Sequence, residues 1–387
     1  MSESGGPRVE RSNVDEVTVT RRRMLVLCPF PLGVAAGQRL KYEQYFDNWR
    51  DQGFDIEVSC FVDIPLWNVV YAKGNYLAKG LGVLRGHLRR LGDMFRVSRY
   101  DLVYVFMWVT PLGTSLFERF TRRLAKRLVF DMEDNVLKGQ SLPKENSLID
   151  LIRLLKGPGK ARYLVRTADH VITSSPFLND LCMELNERRR CTYISSSIDT
   201  DRFLPVNPYS NDRPVTVGWT GTFSSKPYLD LLREVFQELA KRVPFKLKVI
   251  GNFDYELAGV ELEVVRWTRE REVEDLQTFD IGVYPLPIDD WVLGKSGLKA
   301  IQYMAFGLPQ VATEVGTTPL ILTNNQNGLL VTSPQEWLAA LERLVRDPSL
   351  RKRLGQAARQ SAVKHYSTSS IASKYTDVLK SVVGGEN

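Results

Sequence analysis

Short apolar runs alternate with longer amphipathic segments along most of the chain from Met24 onward. MLVLCPF, FDIEVSCF, YDLVYVF, RLVFD, HVITSS and TYISSS have the length and composition of buried strands, and the segments between them mostly read as helices. Such alternation predicts a parallel sheet wrapped by helices. It restarts after FLPVNPYSNDRP, a Pro- and Asn-containing stretch that reads as an interdomain linker. VTVGWTG, FKLKVIG, LEVVRW, FDIGVYPL, PQVATEV and GLLVT make the second series, with helical segments such as YLDLLREVFQELAKR between them. The expected fold is therefore α/β, with two Rossmann-like, doubly wound parallel-sheet domains at 24–205 and 206–363. The carboxyl ends of the strands face one cleft, where ligands bind. Residues 1–23 are polar and lack periodicity, so they are expected to be a disordered tail.

Composition narrows the classes. The 387 residues suit about two domains. Cys28, Cys60, Cys182 and Cys191 lack zinc-site spacing and read as reduced thiols of a cytoplasmic protein. No apolar run reaches the roughly 20 residues of a membrane span. Arg21, Arg22 and Arg23 before MLVLCPFPLGVAAG mimic a signal peptide, but two prolines interrupt the run, which reads better as a buried first strand. Lys and Arg outnumber Asp and Glu by 26 to 20 from Met24 to Pro205, against 21 and 21 from Val206 onward. A basic first half suits anionic lipid or a phosphorylated substrate. Nothing resembles a nucleic-acid-binding motif, which argues against that partner.

Three segments carry candidate chemistry. GKSGLKAIQYMAFGLP, Gly294 to Pro309, is a Gly-bearing loop opening a helix, whose unpaired amides and positive dipole end suit a diphosphate. Lys295 lies in the loop, and Lys299 and Gln302, three apart, share a helix face; the alternative is a core helix with incidental lysines. PFPLGVAAGQRLKYEQYF sets Gly33, Gly37 and Arg39 after the first strand, either for close approach to a ligand or as a plain turn. LVFDMED ends a strand with Asp131, Glu133 and Asp134, which either hold a divalent cation or, the preferred reading, orient basic side chains or ligand hydroxyls. His170 reads as structural, and His87 and His365 as surface residues. Leu77, Leu81, Leu84, Leu88, Leu91 and Phe95 form one helical stripe beside Lys79, Arg85, Arg89 and Arg90. Four glycines there, Gly80, Gly82, Gly86 and Gly92, each weaken the helix by up to about 1 kcal/mol. The stripe needs a surface, either its own domain's sheet or an anionic membrane.

The Gly294–Pro309 segment followed by PQVATEVG and NGLLV, with VGWTGTFSSKPYLDLL, FDIGVYPLPIDDW, YISSSIDTDRF and HVITSSPFLNDL in this order, resembles retaining glycosyltransferase family 4, with its GT-B fold. The resemblance runs from about Met24 to Tyr375. It implies transfer of a sugar, with retention, from a UDP- or GDP-linked donor to a glycan or lipid-linked hydroxyl acceptor in cell-surface polysaccharide or glycoconjugate synthesis. No further cofactor and no metal are implied, and the segment 364–387 is expected to form helices that return to the first domain.

The chain departs from the family pattern at the paired glutamates, where Gly294 and Gln302 stand. Thr222 follows Gly221, and Lys226 falls one position before the family's usual lysine. The closer likeness is to a branch with GKSxxK. Lys295 and Lys226, with Arg39 from the facing domain, are the expected stabilisers of the leaving diphosphate. Gly37, Gly221, Thr222, Ser296, Gly297, Lys299 and Gln302 are the expected donor contacts. No match to a first-domain catalytic His falls near FMWVTPLG. A second reading is therefore a catalytically weak GT-B-like subunit binding a partner glycosyltransferase or a glycan, and a third is a nucleotide-sugar epimerase.

Overall fold

The computed structural model describes residues 21–137, 159–205 and 213–385. Residues 1–20 of the expected tail and 206–212 of the expected linker lie outside the described residues. Arg22 and Arg23, which the sequence reading assigned to the tail, belong to the first strand and pair with Phe54 and Asp55.

The strands of the first sheet are β1 (Arg22–Cys28), β2 (Phe54–Cys60), β3 (Leu102–Phe106), β4 (Leu128–Met132), β5 (His170–Thr173) and β6 (Cys191–Tyr193). Their order is β2-β1-β3-β4-β5-β6, all parallel. The second sheet holds β7 (Thr216–Gly221), β8 (Lys246–Gly251), β9 (Glu261–Arg266), β10 (Ile281–Tyr284), β11 (Gln310–Thr313) and β12 (Leu329–Val331), ordered β12-β11-β10-β7-β8-β9, again parallel. Central strands such as LVYVF and LVFDM are buried at every position because helices cover both faces. The edge strand β2 instead alternates exposed Asp55 and Glu57 with more buried neighbours, and β9 has no fully buried residue.

Chain order reverses between β1 and β3 in the first sheet and between β7 and β10 in the second. Those switch points open crevices at the strand carboxyl ends. The last helix, Thr368–Gly384, starts at a Ser367 cap. It sets Ile371, Tyr375, Leu379 and Val382 into the first core beside Met24, Val26 and Trp49.

Candidate active site

The two carboxyl edges meet. Gly294, Lys295 and Ser296, from the loop after β10, sit against Glu133, Asp134 and Asn135, from the loop after β4. Lys295 Nζ lies 2.9 Å from Asp134 Oδ1, Ser296 Oγ donates to Glu133 Oε1 at 3.1 Å, and Ser174 Oγ donates to the Gly294 carbonyl at 3.3 Å. A Cβ on Gly294 would stand 2.8 Å from the Asn135 backbone nitrogen, so only glycine allows this approach. Asp134 itself holds a positive φ of 61°, and Met107, just after β3, one of 62°. Side chains other than glycine rarely adopt this region, Asp more readily than Met.

Further contacts surround this junction. Arg39 Nη2 pairs with Glu272 Oε2 at 2.6 Å, both side chains under a tenth exposed. Arg269 lies over Gly33, whose φ is +76°. Tyr71 meets Phe223 with ring centroids 5.9 Å apart. Gly37 faces the Glu133 carboxylate, at 3.2 Å from where its Cβ would be.

The acidic cluster is held in pairs. Asp131 is fully buried, takes an ion pair from Lys41 at 2.9 Å and accepts a hydrogen bond from Tyr104. Burial raises its pKa, opposed by Lys41 and Tyr104. Burial pushes Glu133 up to about 7, with Lys41 pulling down and Asp134 pushing up. Asp134 serves Lys295: burial works against that ammonium, but Asp134, together with Tyr228 and Glu133, outweighs it, so the Lys295 pKa is raised. Among the described residues no group of three His, Cys, Asp or Glu side chains is set to hold a metal ion.

Lys299 differs from the other cations. It stands in the first turn of the helix Leu298–Ala305, with Nζ 4.4 Å from the centre of the Trp219 ring of β7 and 5.9 Å from that of Tyr284 of β10. Among the described residues it forms no ion pair to a carboxylate. Burial, with the Lys295 charge behind it, pushes its pKa down to about 7. Gly297, the N-cap, has φ 73° and no side chain caps the helix, whose first turn lacks acids. The first-turn amides thus remain for an anion beside a half-charged amine. Gly297 also abuts Ile321, so glycine is required there by packing as well as by φ.

Across this crevice, Thr222 closes a capping box with Ser225 ahead of Lys226. Lys226 is 38% exposed and 3.8 Å from Asp230, a longer ion pair than those of Arg39 and Lys295. Gly221 packs against the Trp219 ring and the Ser225 hydroxyl, which leaves no space for a side chain. Gln302 is buried on the same helix as Lys299.

The structure thus brings Gly37, Lys295 and Ser296 to one junction, sets Lys299 and Gln302 on the helix behind it, and keeps Gly221, Thr222 and Lys226 on the opposite lip. Sequence reasoning missed Glu272, Lys41, Arg269 and the Trp219–Tyr284 cradle. One detail differs from expectation. His87 is half-buried against Phe61 and Phe117, not a plain surface residue. The Leu77–Phe95 stripe turns away from its own sheet, which removes the first of the two surfaces expected for it.

Two parallel Rossmann-like sheets meeting at their carboxyl edges, with a terminal helix crossing back, define the GT-B architecture. Residues 214–347 match the family Glycosyl transferases group 1, which spans the second sheet. The chain is similar to D-inositol 3-phosphate glycosyltransferase of Corynebacterium jeikeium, 40% identical over 198 residues, covering 43% of this chain and 46% of that relative. The chain therefore spans less than half the length of this relative. Sucrose-phosphate synthase from Thermosynechococcus elongatus superposes with a TM-score of 0.69 at 14% identity, over 95% of this chain and 100% of that one. Anabaena HepE in complex with UDP-glucose superposes at 0.63 with 16% identity, over 93% and 100%. At such identities these two likenesses speak for the fold.

Proposed function

We propose that the protein is a glycosyltransferase that moves a sugar from a nucleoside diphosphate sugar, UDP- or GDP-linked, to a hydroxyl of a glycan or lipid-linked acceptor, with retention. The observation that carries this reading is Lys299, an amine with no carboxylate partner among the described residues, at an uncapped helix start on the switch-point side of a GT-B cleft. The group 1 match over residues 214–347 and the kinship with D-inositol 3-phosphate glycosyltransferase support it.

The barrier lies in breaking the bond from the anomeric carbon to the diphosphate, so fixed positive charge at the departing oxygens lowers it most. Lys226 and Lys299 flank the second-domain crevice, with Lys295 at its first-domain edge. Arg39 reaches from the first domain, and its Nε and Nη1 are buried with no hydrogen-bond partner among the described residues while Nη2 stays on Glu272. Those two free donors suit a donor oxygen in the closed cleft. Gly221 and Thr222 border the space for the diphosphate, Gly37, Ser296 and Gly297 allow close backbone approach, and Gln302 would hydrogen-bond the donor ribose without charge. Closure at Lys295–Asp134 and Arg39–Glu272 excludes water that would hydrolyse the donor.

Release of UDP or GDP from a panel of nucleotide sugars, with a lipid extract or oligosaccharides as acceptors, tests this. Acceptor-dependent release is the expected result. Donor binding with no turnover under any acceptor would favour the weak-subunit reading, and conversion of the donor without an acceptor would favour an epimerase.

A further inference from the structure

The helix Tyr76–Met94 is built inside out. Gly82 and Gly86 face the protein so closely that a Cβ on either would strike Leu66 or Phe61. Arg90 and Asp93 are buried on the same side, where Arg90 bonds the Cys28, Ser59 and Val109 carbonyls. The opposite face carries Leu77, Leu81, Leu84, Leu88 and Leu91, continued by Phe95, each between 48% and 79% exposed. The adjacent helix Leu116–Leu124, tied to the first by Phe117 against His87, exposes Leu116, Phe120 and Leu124 at spacings of four. Among the described residues, thirteen of the twenty exposed large hydrophobic side chains lie between Leu32 and Leu124, so their exposed apolar surface is concentrated on one domain.

Charge identifies what covers it. From Ile64 to Tyr100 there are seven Lys and Arg and a single acid, Asp93, which is buried. From Ser115 to Arg127 there are five, and the single acid, Glu118, is also buried. Arg85 and Arg89 are tied to Asp63, whereas Lys73, Arg99 and Arg123 make no ion pair among the described residues. A second copy would present the same cations and be repelled, and a nucleic acid would leave the leucines wet. An apolar stripe with cations around it and no exposed acid on its helices matches the interface of an anionic bilayer.

We propose that this face of the first domain docks on an anionic phospholipid surface, with the leucine stripe at the acyl boundary and Lys73, Arg99 and Arg123 on the headgroups. Among the described residues no helix is long and apolar enough to cross a membrane, so the association is peripheral. This inference does not depend on the donor chemistry, and its failure would leave the proposed reaction standing.

Co-sedimentation of the full chain with mixed phosphatidylcholine and phosphatidylglycerol vesicles tests it, with pure phosphatidylcholine as control. Binding is expected to the anionic vesicles only and to weaken with salt, because the Debye length falls from ~10 Å at 0.1 M to ~3 Å at 1 M. The variant Leu81→Glu with Leu88→Glu should bind at least ~10-fold more weakly. The triple change Lys73→Glu, Arg99→Glu and Arg123→Glu should lose at least as much, since each cation contributes roughly fivefold. These side chains are exposed, so melting temperature should stay within a degree or two. The proposal is overturned if wild type ignores anionic vesicles, if it binds phosphatidylcholine equally, if both variants bind as wild type does, or if the leucine change dissociates a dimer that fails to bind vesicles.

Discussion

Replacing Lys299 with methionine removes one charge while keeping an unbranched chain that still fills the space between Trp219 and Tyr284. In the free protein the amine is poised near neutrality, its pKa held at about 7 by burial and the Lys295 charge. A donor diphosphate at about 4 Å would contribute roughly 4 kcal/mol at an effective dielectric near 20, or about three pK units. At about pH 8 the free amine is roughly nine-tenths neutral and the bound one almost wholly charged, so donor binding should take up close to ~0.9 proton. The sign follows from the bound state's higher pKa: affinity falls as pH rises above 7, by about tenfold per unit until the bound pKa is reached. Calorimetric titration of UDP-glucose and GDP-mannose in buffers of different ionisation enthalpy reads the uptake directly. Lys299→Met should abolish the buffer dependence, flatten the pH profile and weaken binding at pH 7. Equal proton uptake in wild type and variant, or unchanged affinity in the variant, would refute the assignment.

Other consequences are open to test. Lys295→Ala should lower kcat by roughly ~10²-fold, because charge on the diphosphate develops as the bond breaks, whereas Gln302→Ala should mainly raise the donor KM. A kcat within about threefold of wild type for a folded Lys295→Ala, under ~1 kcal/mol of barrier, would move the leaving-group site elsewhere. Gly294→Ala places a methyl 2.8 Å from the Asn135 amide nitrogen; it should enlarge the radius of gyration in small-angle scattering without lowering the melting temperature much, and unchanged scattering would mean the junction yields. Transfer should proceed in excess EDTA, since Asp131 and Asp134 hold lysines and Glu133 accepts from Ser296; loss restored by magnesium or manganese would show that these carboxylates bind metal.

The strands were legible because a parallel strand buried on both faces must be apolar throughout, as LVYVF and LVFDM are. The stripe from Leu77 to Phe95 had the right period, but periodicity does not say which face turns inward. Here the glycine face packs, since Gly82 and Gly86 let the helix approach Leu66 and Phe61 and Arg90 finds its acceptors in the core. The candidate cations were visible as lysines and arginines near glycines, yet their partners were not. Glu272 is 233 residues from Arg39, and Asp134 reaches Lys295 only because two loops from different sheets meet. The Lys299 cradle was hidden for the same reason, as Trp219 and Tyr284 belong to strands that adjoin only at the switch point.

The central claim is that a nucleoside diphosphate sugar occupies this cleft. The melting temperature of the intact chain, measured with each of a panel of nucleotide sugars at saturation, tests it most directly. A ligand at about 100 times its Kd stabilises the fold by roughly 2.7 kcal/mol. At least one nucleotide sugar should therefore raise the midpoint measurably, its free sugar should not, and the double variant Lys226→Met, Lys299→Met should lose the shift while melting as a folded protein. A flat response to every nucleotide sugar, or a shift that survives in the double variant, would contradict the account.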